Sequence, residues 1–222
     1  MSERTKYRQY CDRATSSQSF ASLTEASIID GNFQALEQLP PSEAVQVSAS
    51  DSTILFQEMQ SPTPLWIEPT KGGAVFVSNN WYRGKLLLIA QGNNLLAINY
   101  VGLEEYLLSV VGSEMSAAAP MEALKAQAVA ARSYALVHTF RPANQWFDVT
   151  AGERHQAYKG IATEYNTTHQ TINETLGQIL SYQGRVVESL YAATQASVSK
   201  VHKGAGMRQK PSLIIFLTHS LG

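Results

Sequence analysis

The chain has a single cysteine, Cys11, in 222 residues, which excludes an intramolecular disulfide and any cysteine-rich metal site. It has almost no net charge: 17 Lys and Arg against 18 Asp and Glu leave −1. Such a balance gives no electrostatic footprint for nucleic acid or for an anionic membrane surface. Apolar runs are short, none approaching the ~20 residues that a helix needs to span a bilayer. The opening MSERTKYRQYCDRATSSQSF also lacks the apolar core of a secretory signal. What remains, 44% hydrophobic and 16% charged residues, reads as one globular domain with tails, long enough to bury a real core.

The strongest local signal runs from Tyr100 to Phe140 (YVGLEEYLLSVVGSEMSAAAPMEALKAQAVAARSYALVHTF). Leu103, Leu107 and Val110 or Val111 recur at the spacing of a helix with one buried face. Gly112 is expected to close that helix, leaving Ser113, Glu114 and Met115 in a turn beside its end. Pro120 suits the first position of a second helix, and Glu122 then complements its dipole. Leu124, Ala128, Ala131 and Ala135 fall on one stripe, small enough to let another backbone approach closely. Gln127, Tyr134 and His138 share a second stripe, and Lys125 and Arg132 a third.

The segments LEEYLLSVVGSEM and EALKAQAVAARSYAL closely resemble the signature of the SpoIID/LytB family, the stage II sporulation protein D and amidase-enhancer domain that acts on bacterial peptidoglycan. Weaker matches extend the resemblance from about Gly72 to Thr194. They include FDVTAGERHQAYKG, which resembles the family's Asp-Val followed by Gln-x-Tyr-x-Gly, and Asn173, Glu174 and Thr175, which match an Asn-x-Thr region. The resemblance implies a cell-envelope, extracytoplasmic location. Since no signal peptide is visible, export then requires a start further upstream or another route.

The resulting expectation is an α+β fold, with antiparallel β hairpins and a meander packed against the central Ala-rich helix. Residues 1–44 are polar and read as an N-terminal extension, with one short helix near Ile28 to Leu39. The peptidoglycan-acting domain is expected over 45–194. Within it, Val45, Val47, Ile54 and Leu55 read as edge strands. SPTPLWIEPT, with three prolines, reads as an extended connection in which Trp66 caps the core. Ala74 to Val77, Tyr82 to Ile89 and Leu95 to Tyr100 read as the meander. A helix is expected over Thr163 to Leu176, then a hairpin turning at Gln183 and Gly184, whose second strand is Val186 to Ala192. From residue 195 the chain departs from the family pattern, lacking its Trp-Gly strand. A changed reading frame, a truncated gene or true divergence would produce such a 195–222 tail, and its LIIFL run suits a strand.

Glu114 is the candidate catalytic residue. Glycosidic cleavage needs a proton delivered to the leaving oxygen, and a carboxyl half-buried among apolar groups keeps a proton near neutral pH. Val110, Val111 and Met115 are expected to supply those surroundings. The plainer reading is a helix cap, or an ion pair with Lys125 or Arg132. The resemblance favours the catalytic reading and implies a lytic transglycosylase, in which one glutamate serves as acid and then base. A hydroxyl of the muramic acid sugar attacks the anomeric carbon, leaving a 1,6-anhydro end. Candidate substrate contacts are Gln127, Arg132, Tyr134, His155, Gln156 and Tyr158. Arg132 offers a bidentate fork for a carboxylate, but an arginine leaving a helix is as readily the structural partner of a nearby acid. A lone His155 does not make a zinc site, and no metal or cofactor is called for. Two other outcomes stay open: a non-catalytic peptidoglycan-binding enhancer of an N-acetylmuramoyl amidase, and a decayed copy with neither activity.

Overall fold

The computed structural model describes residues 17–190 apart from 71, 78 and 153, and the backbone of two further strands, 9–10 and 212–216. In chain order the first strands are β1 (Gln9–Tyr10), β2 (Ser17–Ser22), β3 (Ala26–Asp30), β4 (Ala35–Leu39), β5 (Ala44–Ser50), β6 (Thr53–Phe56), β7 (Met59–Pro62) and β8 (Leu65–Pro69). There follow β9 (Ala74–Val77), β10 (Asn80–Arg83), β11 (Lys85–Gln91) and β12 (Asn94–Gly102), then helices α1 (Leu103–Glu114) and α2 (Met121–Phe140). The chain continues through β13 (Val149–Thr150), a 3-10 turn (Ile161–Thr163), α3 (Asn166–Glu174), β14 (Ser181–Tyr182), β15 (Arg185–Val186) and β16 (Ser212–Phe216). Eight strands form one sheet in the order β1-β13-β16-β12-β11-β8-β3-β4, and six form another, β10-β9-β2-β5-β6-β7. Neighbours are antiparallel except where β13 joins β1 and β16. The α+β class is as expected.

The runs KLLLIA and LLAI are too continuously apolar for strands with one wet face, and suit strands buried on both. β11 and β12 are such strands. Leu86, Leu87, Leu88, Ile89, Ala90, Leu95, Leu96, Ala97 and Ile98 are all buried. β11 and β12 contact β5 of the six-stranded sheet, and β12 also contacts α1. Leu124, Ala128, Ala131 and Ala135, the expected stripe of α2, are fully buried in the same cluster. Trp66 lies partly buried against this core, edge-on to Tyr100 at 4.6 Å.

Several local expectations give way to the sheets. The helix expected near Ile28 to Leu39 is the β3–β4 hairpin, and strands from 17–39 belong to both sheets, so this part of the chain is not an appended extension. Ser27 and Gln38 on one face, against buried Ala26, Ile28 and Leu39 on the other, satisfy a half-buried strand whatever their helical propensity. β5 and β6 lie inside their sheet rather than at its edge. The proline-rich segment gives two strands, and β8 pairs on both sides, with β11 and β3. Its prolines do not interrupt the ladder, because Pro62 ends the edge strand β7, Pro64 precedes β8 and Pro69 is its last residue. The Tyr82 to Ile89 run breaks at Gly84, with φ +83°. There the chain leaves the six-stranded sheet for the eight-stranded one, and a Cβ would stand 2.1 Å from the Tyr100 carbonyl oxygen. The meander is thus shared between two sheets.

After the helices, the expected helix from Thr163 shortens to α3, preceded by the 3-10 turn. The hairpin turns at Gln183 and Gly184, both at positive φ as a two-residue turn requires. Its second strand, β15, is only two residues long. Residues 191–192 and the departure at 195–211 lie outside the described residues. Beyond them, the backbone of β16 pairs antiparallel with β12.

Candidate functional site

Helix α1 does not stop at Gly112 but runs on to Glu114. The glycine serves packing instead. A Cβ at this position would stand 1.8 Å from the Thr163 carbonyl oxygen, so the bare backbone lets the 3-10 turn lie against the helix. Thr163 Oγ1 is also within 3.0 Å of Ser109 Oγ and accepts from Ser113 Oγ at 3.1 Å. Glu114 therefore sits on the last turn of a helix locked to the 151–163 loop.

Its carboxylate is exposed rather than half-buried, while Val110 and Val111 face the core. Oε1 accepts the backbone N–H of Ala157 at 2.9 Å. Of the two plainer readings, the ion pair with Lys125 or Arg132 is not made. Lys125 pairs with Glu122 and Glu174, and Arg132 with Glu104. Among the described residues no hydrogen bond or ion pair joins Glu114 to another candidate.

Four of the expected substrate contacts are buried, Tyr134 at 6% exposed among them, and the other three spend their polar atoms on core partners. Arg132 is 1% exposed; its Nε and Nη2 donate to the two oxygens of Glu104 at 2.9 and 2.6 Å, and its Nη1 to the Gln178 carbonyl at 3.0 Å. A buried guanidinium needs such a full set of acceptors. Gln156, 1% exposed, accepts from Tyr106 Oη at 2.7 Å and donates to the Ala131 carbonyl at 3.3 Å, bridging α1 and α2. Tyr158, 3% exposed, donates to Asn99 Oδ1 at 3.0 Å, and burial pushes its hydroxyl well above the usual range. Asn99 in turn donates to the Arg83 and Lys85 carbonyls.

Tyr134 and His155 are brought together, through a residue between them. His138 packs against Tyr134 at 4.3 Å with the rings tilted by 40°, and meets His155 edge-on at 5.2 Å. Burial, then Glu188, pushes Tyr134 up to about 12. His155 Nδ1 accepts the Thr150 N–H at 3.2 Å and lies 2.7 Å from Thr150 Oγ1, which leaves the ring proton on Nε2. Burial, then His138 and Arg154, lowers His155 to about 4. His138 is lowered too, chiefly by burial, although Glu188 Oε1 lies 3.4 Å from its Nε2 without hydrogen-bond geometry. Gln127 shares the α2 stripe of Tyr134, and its Nε2 is buried with no hydrogen-bond partner among the described residues.

A histidine held neutral in the fold but free to protonate when unfolded destabilises the fold as pH drops below its unfolded value. His155 should therefore lower stability between about pH 6.5 and its folded value of about 4. The expected result is a melting temperature that declines from pH 7.5 to pH 5, with a shallower decline in His155→Gln. Equal slopes in the two proteins would remove His155 as a cause.

The sequence reading missed the residues that fasten the site: Glu104, Tyr106, Ser109 and Asn99. Only Asn99 leaves a signal, as a polar residue inside an otherwise apolar strand buried on both faces. Among the described residues no three His, Cys, Asp or Glu side chains converge as metal ligands, and no helix is long and apolar enough to cross a membrane.

The family model for stage II sporulation protein, SpoIID, matches residues 91–182. An uncharacterized protein of Brachyspira hyodysenteriae is 30% identical over 173 residues, covering 74% of this chain and 47% of that protein. The amidase enhancer of Bacillus subtilis is 32% identical over 108 residues, 49% of this chain and 14% of the relative. Stage II sporulation protein D of the same organism is 32% identical over 115 residues, 44% of this chain and 33% of the relative. The chain thus spans less than half the length of each of these curated relatives. No solved structure matches it. The segment matched by the SpoIID family model, residues 91–182, holds α1, α2, the 151–163 loop and every candidate residue from Glu114 to Tyr158, and it is over this segment that the chain is similar to the family.

Proposed function

We propose that the chain acts on cell-wall peptidoglycan, outside the cytoplasmic membrane, as a lytic transglycosylase with Glu114 as acid and then base. The observation that carries this reading is a carboxylate at a helix end that, although it lacks the expected apolar cover, is open to substrate, free of any described cation and fixed in direction by the Ala157 N–H. In the first half-reaction the Glu114 proton passes to the glycosidic oxygen as its bond to the anomeric carbon breaks. In the second, the 6-hydroxyl oxygen of the same muramyl residue bonds to that carbon and its proton returns to Glu114. The sugar leaves as a 1,6-anhydro end and the glutamic acid is restored, so no second carboxylate is needed. Gln127 and His155 remain the proposed substrate contacts, His155 Nε2 offering a neutral donor, while Tyr134, 6% exposed, backs His155 through His138.

The test is Glu114→Gln, which keeps the shape and the acceptor for Ala157 but has no proton to give. Anhydro-ended fragments are expected to vanish while binding to purified glycan and the melting temperature persist. Undiminished cleavage by that variant would end this assignment.

A second reading rests on two observations: the similarity to a relative named as an amidase enhancer, and the burial of Arg132, Gln156 and Tyr158, which leaves fewer side chains to grip a substrate. Here the chain binds glycan and stimulates an N-acetylmuramoyl amidase without cutting. Product released only when an amidase is added would favour it.

A further inference from the structure

We infer that the Ala157 amide is part of the working site, and that Gln156 and Tyr158 are positioning residues that act on Glu114 through it. This rests on the transglycosylase reading above.

The two residues flanking Ala157 are buried and anchored in different directions. Gln156 is held between Tyr106 of α1 and the Ala131 carbonyl of α2, and Tyr158 is held by Asn99 of β12. The backbone on either side is tied as well: Tyr158 N–H donates to the Ala151 carbonyl at 3.1 Å, and Lys159 N–H to Ser109 Oγ at 3.2 Å. The peptide between these anchors cannot turn freely, so its N–H keeps one direction, toward Glu114 Oε1 at 2.9 Å. Without it, an exposed glutamate on a helix end would sample several rotamers.

The bond also differs between the states of the reaction. A backbone donor binds a carboxylate more strongly than a neutral carboxyl group. As the proton leaves Glu114 for the glycosidic oxygen, negative charge grows on the group that the N–H faces. The bond strengthens where charge develops, which speeds the chemical step rather than tightening substrate binding. Because Oε1 is taken by the amide, Oε2 carries the transferred proton. Residues matching a family motif over Gln-x-Tyr thus set the geometry of the acid without touching substrate.

The experiment exchanges the Gln156–Ala157 amide for an ester, by incorporating lactic acid in place of Ala157 in the full chain, which removes the N–H and little else. Cleavage of purified glycan strands is expected to slow ~10-fold or more in kcat, the loss of one hydrogen bond to a charged group, with KM and melting temperature nearly unchanged. Tyr158→Phe, which loses only the bond to Asn99, should show the same split more weakly. If Glu114→Gln abolishes cleavage but the ester leaves kcat intact, the inference fails while the transglycosylase reading stands. A rise in KM with constant kcat in the ester protein would likewise overturn it, by making the amide a substrate contact. If the unmodified chain cuts no glycan, both fall together.

Discussion

Glu104→Ala is expected to destabilise the fold by about 3–5 kcal/mol, because it strands a buried guanidinium without its counter-charge. Arg132 is 1% exposed, and two of its three nitrogens donate to Glu104. The third donates to the Gln178 carbonyl. Arg132 therefore joins α1, α2 and the segment leading into the β14–β15 hairpin. The chain on both sides of that hairpin follows α2 closely, with Leu180 N–H before it donating to Ser133 Oγ and Ser189 Oγ after it to the Ala130 carbonyl. The Glu104 side chain is 32% exposed, so water can reach the site and the loss should fall near the lower end of the range. A pair of apolar replacements, Glu104→Leu with Arg132→Met, should recover much of it, since no unpaired charge then remains. Urea unfolding of the three proteins makes the comparison. A single-variant loss below about 1 kcal/mol would mean that Arg132 finds other acceptors and is not the junction described.

Gly112→Ala should also lower stability, against the direction that helix propensity alone implies. In an exposed helix, alanine for glycine gains about 1 kcal/mol. Here the new Cβ would meet the Thr163 carbonyl oxygen at 1.8 Å, and the atom in the way is backbone, which cannot rotate aside. Either α1 bends or the 3-10 turn lifts away, taking with it the Thr163 bonds to Ser109 and Ser113. Overpacking of this kind costs about 1–3 kcal/mol or more, which exceeds the propensity gain. The melting temperature should drop by several degrees and, on the transglycosylase reading proposed above, cleavage should fall further than stability explains, because the same loop carries Ala157. A higher melting temperature in the variant would show that the turn and helix are not locked as described.

The periodicities gave α1 and α2, the fully buried alanine stripe and the class of the fold, since a 3.6-residue pattern survives any tertiary arrangement that buries one face. The hairpin turn was also legible, because Gln183 and Gly184 are short-range chemistry. The family resemblance marked the segment that holds the candidate site and matched Glu114, Gln127, Arg132, Tyr134, Gln156 and Tyr158, and the loop between them added His155. It did not sort them. Whether a polar side chain faces a groove or a core depends on partners far away in sequence: Glu104 for Arg132, Tyr106 for Gln156 and Asn99 for Tyr158. No spacing rule links those positions. The same holds for β3, β4 and β8, whose polar or proline-rich segments became strands because neighbouring strands offered ladders and a buried face. Gly112 shows both limits at once. Its sequence context permitted a helix stop, and only the approach of Thr163 made it instead the point where the helix must stay bare.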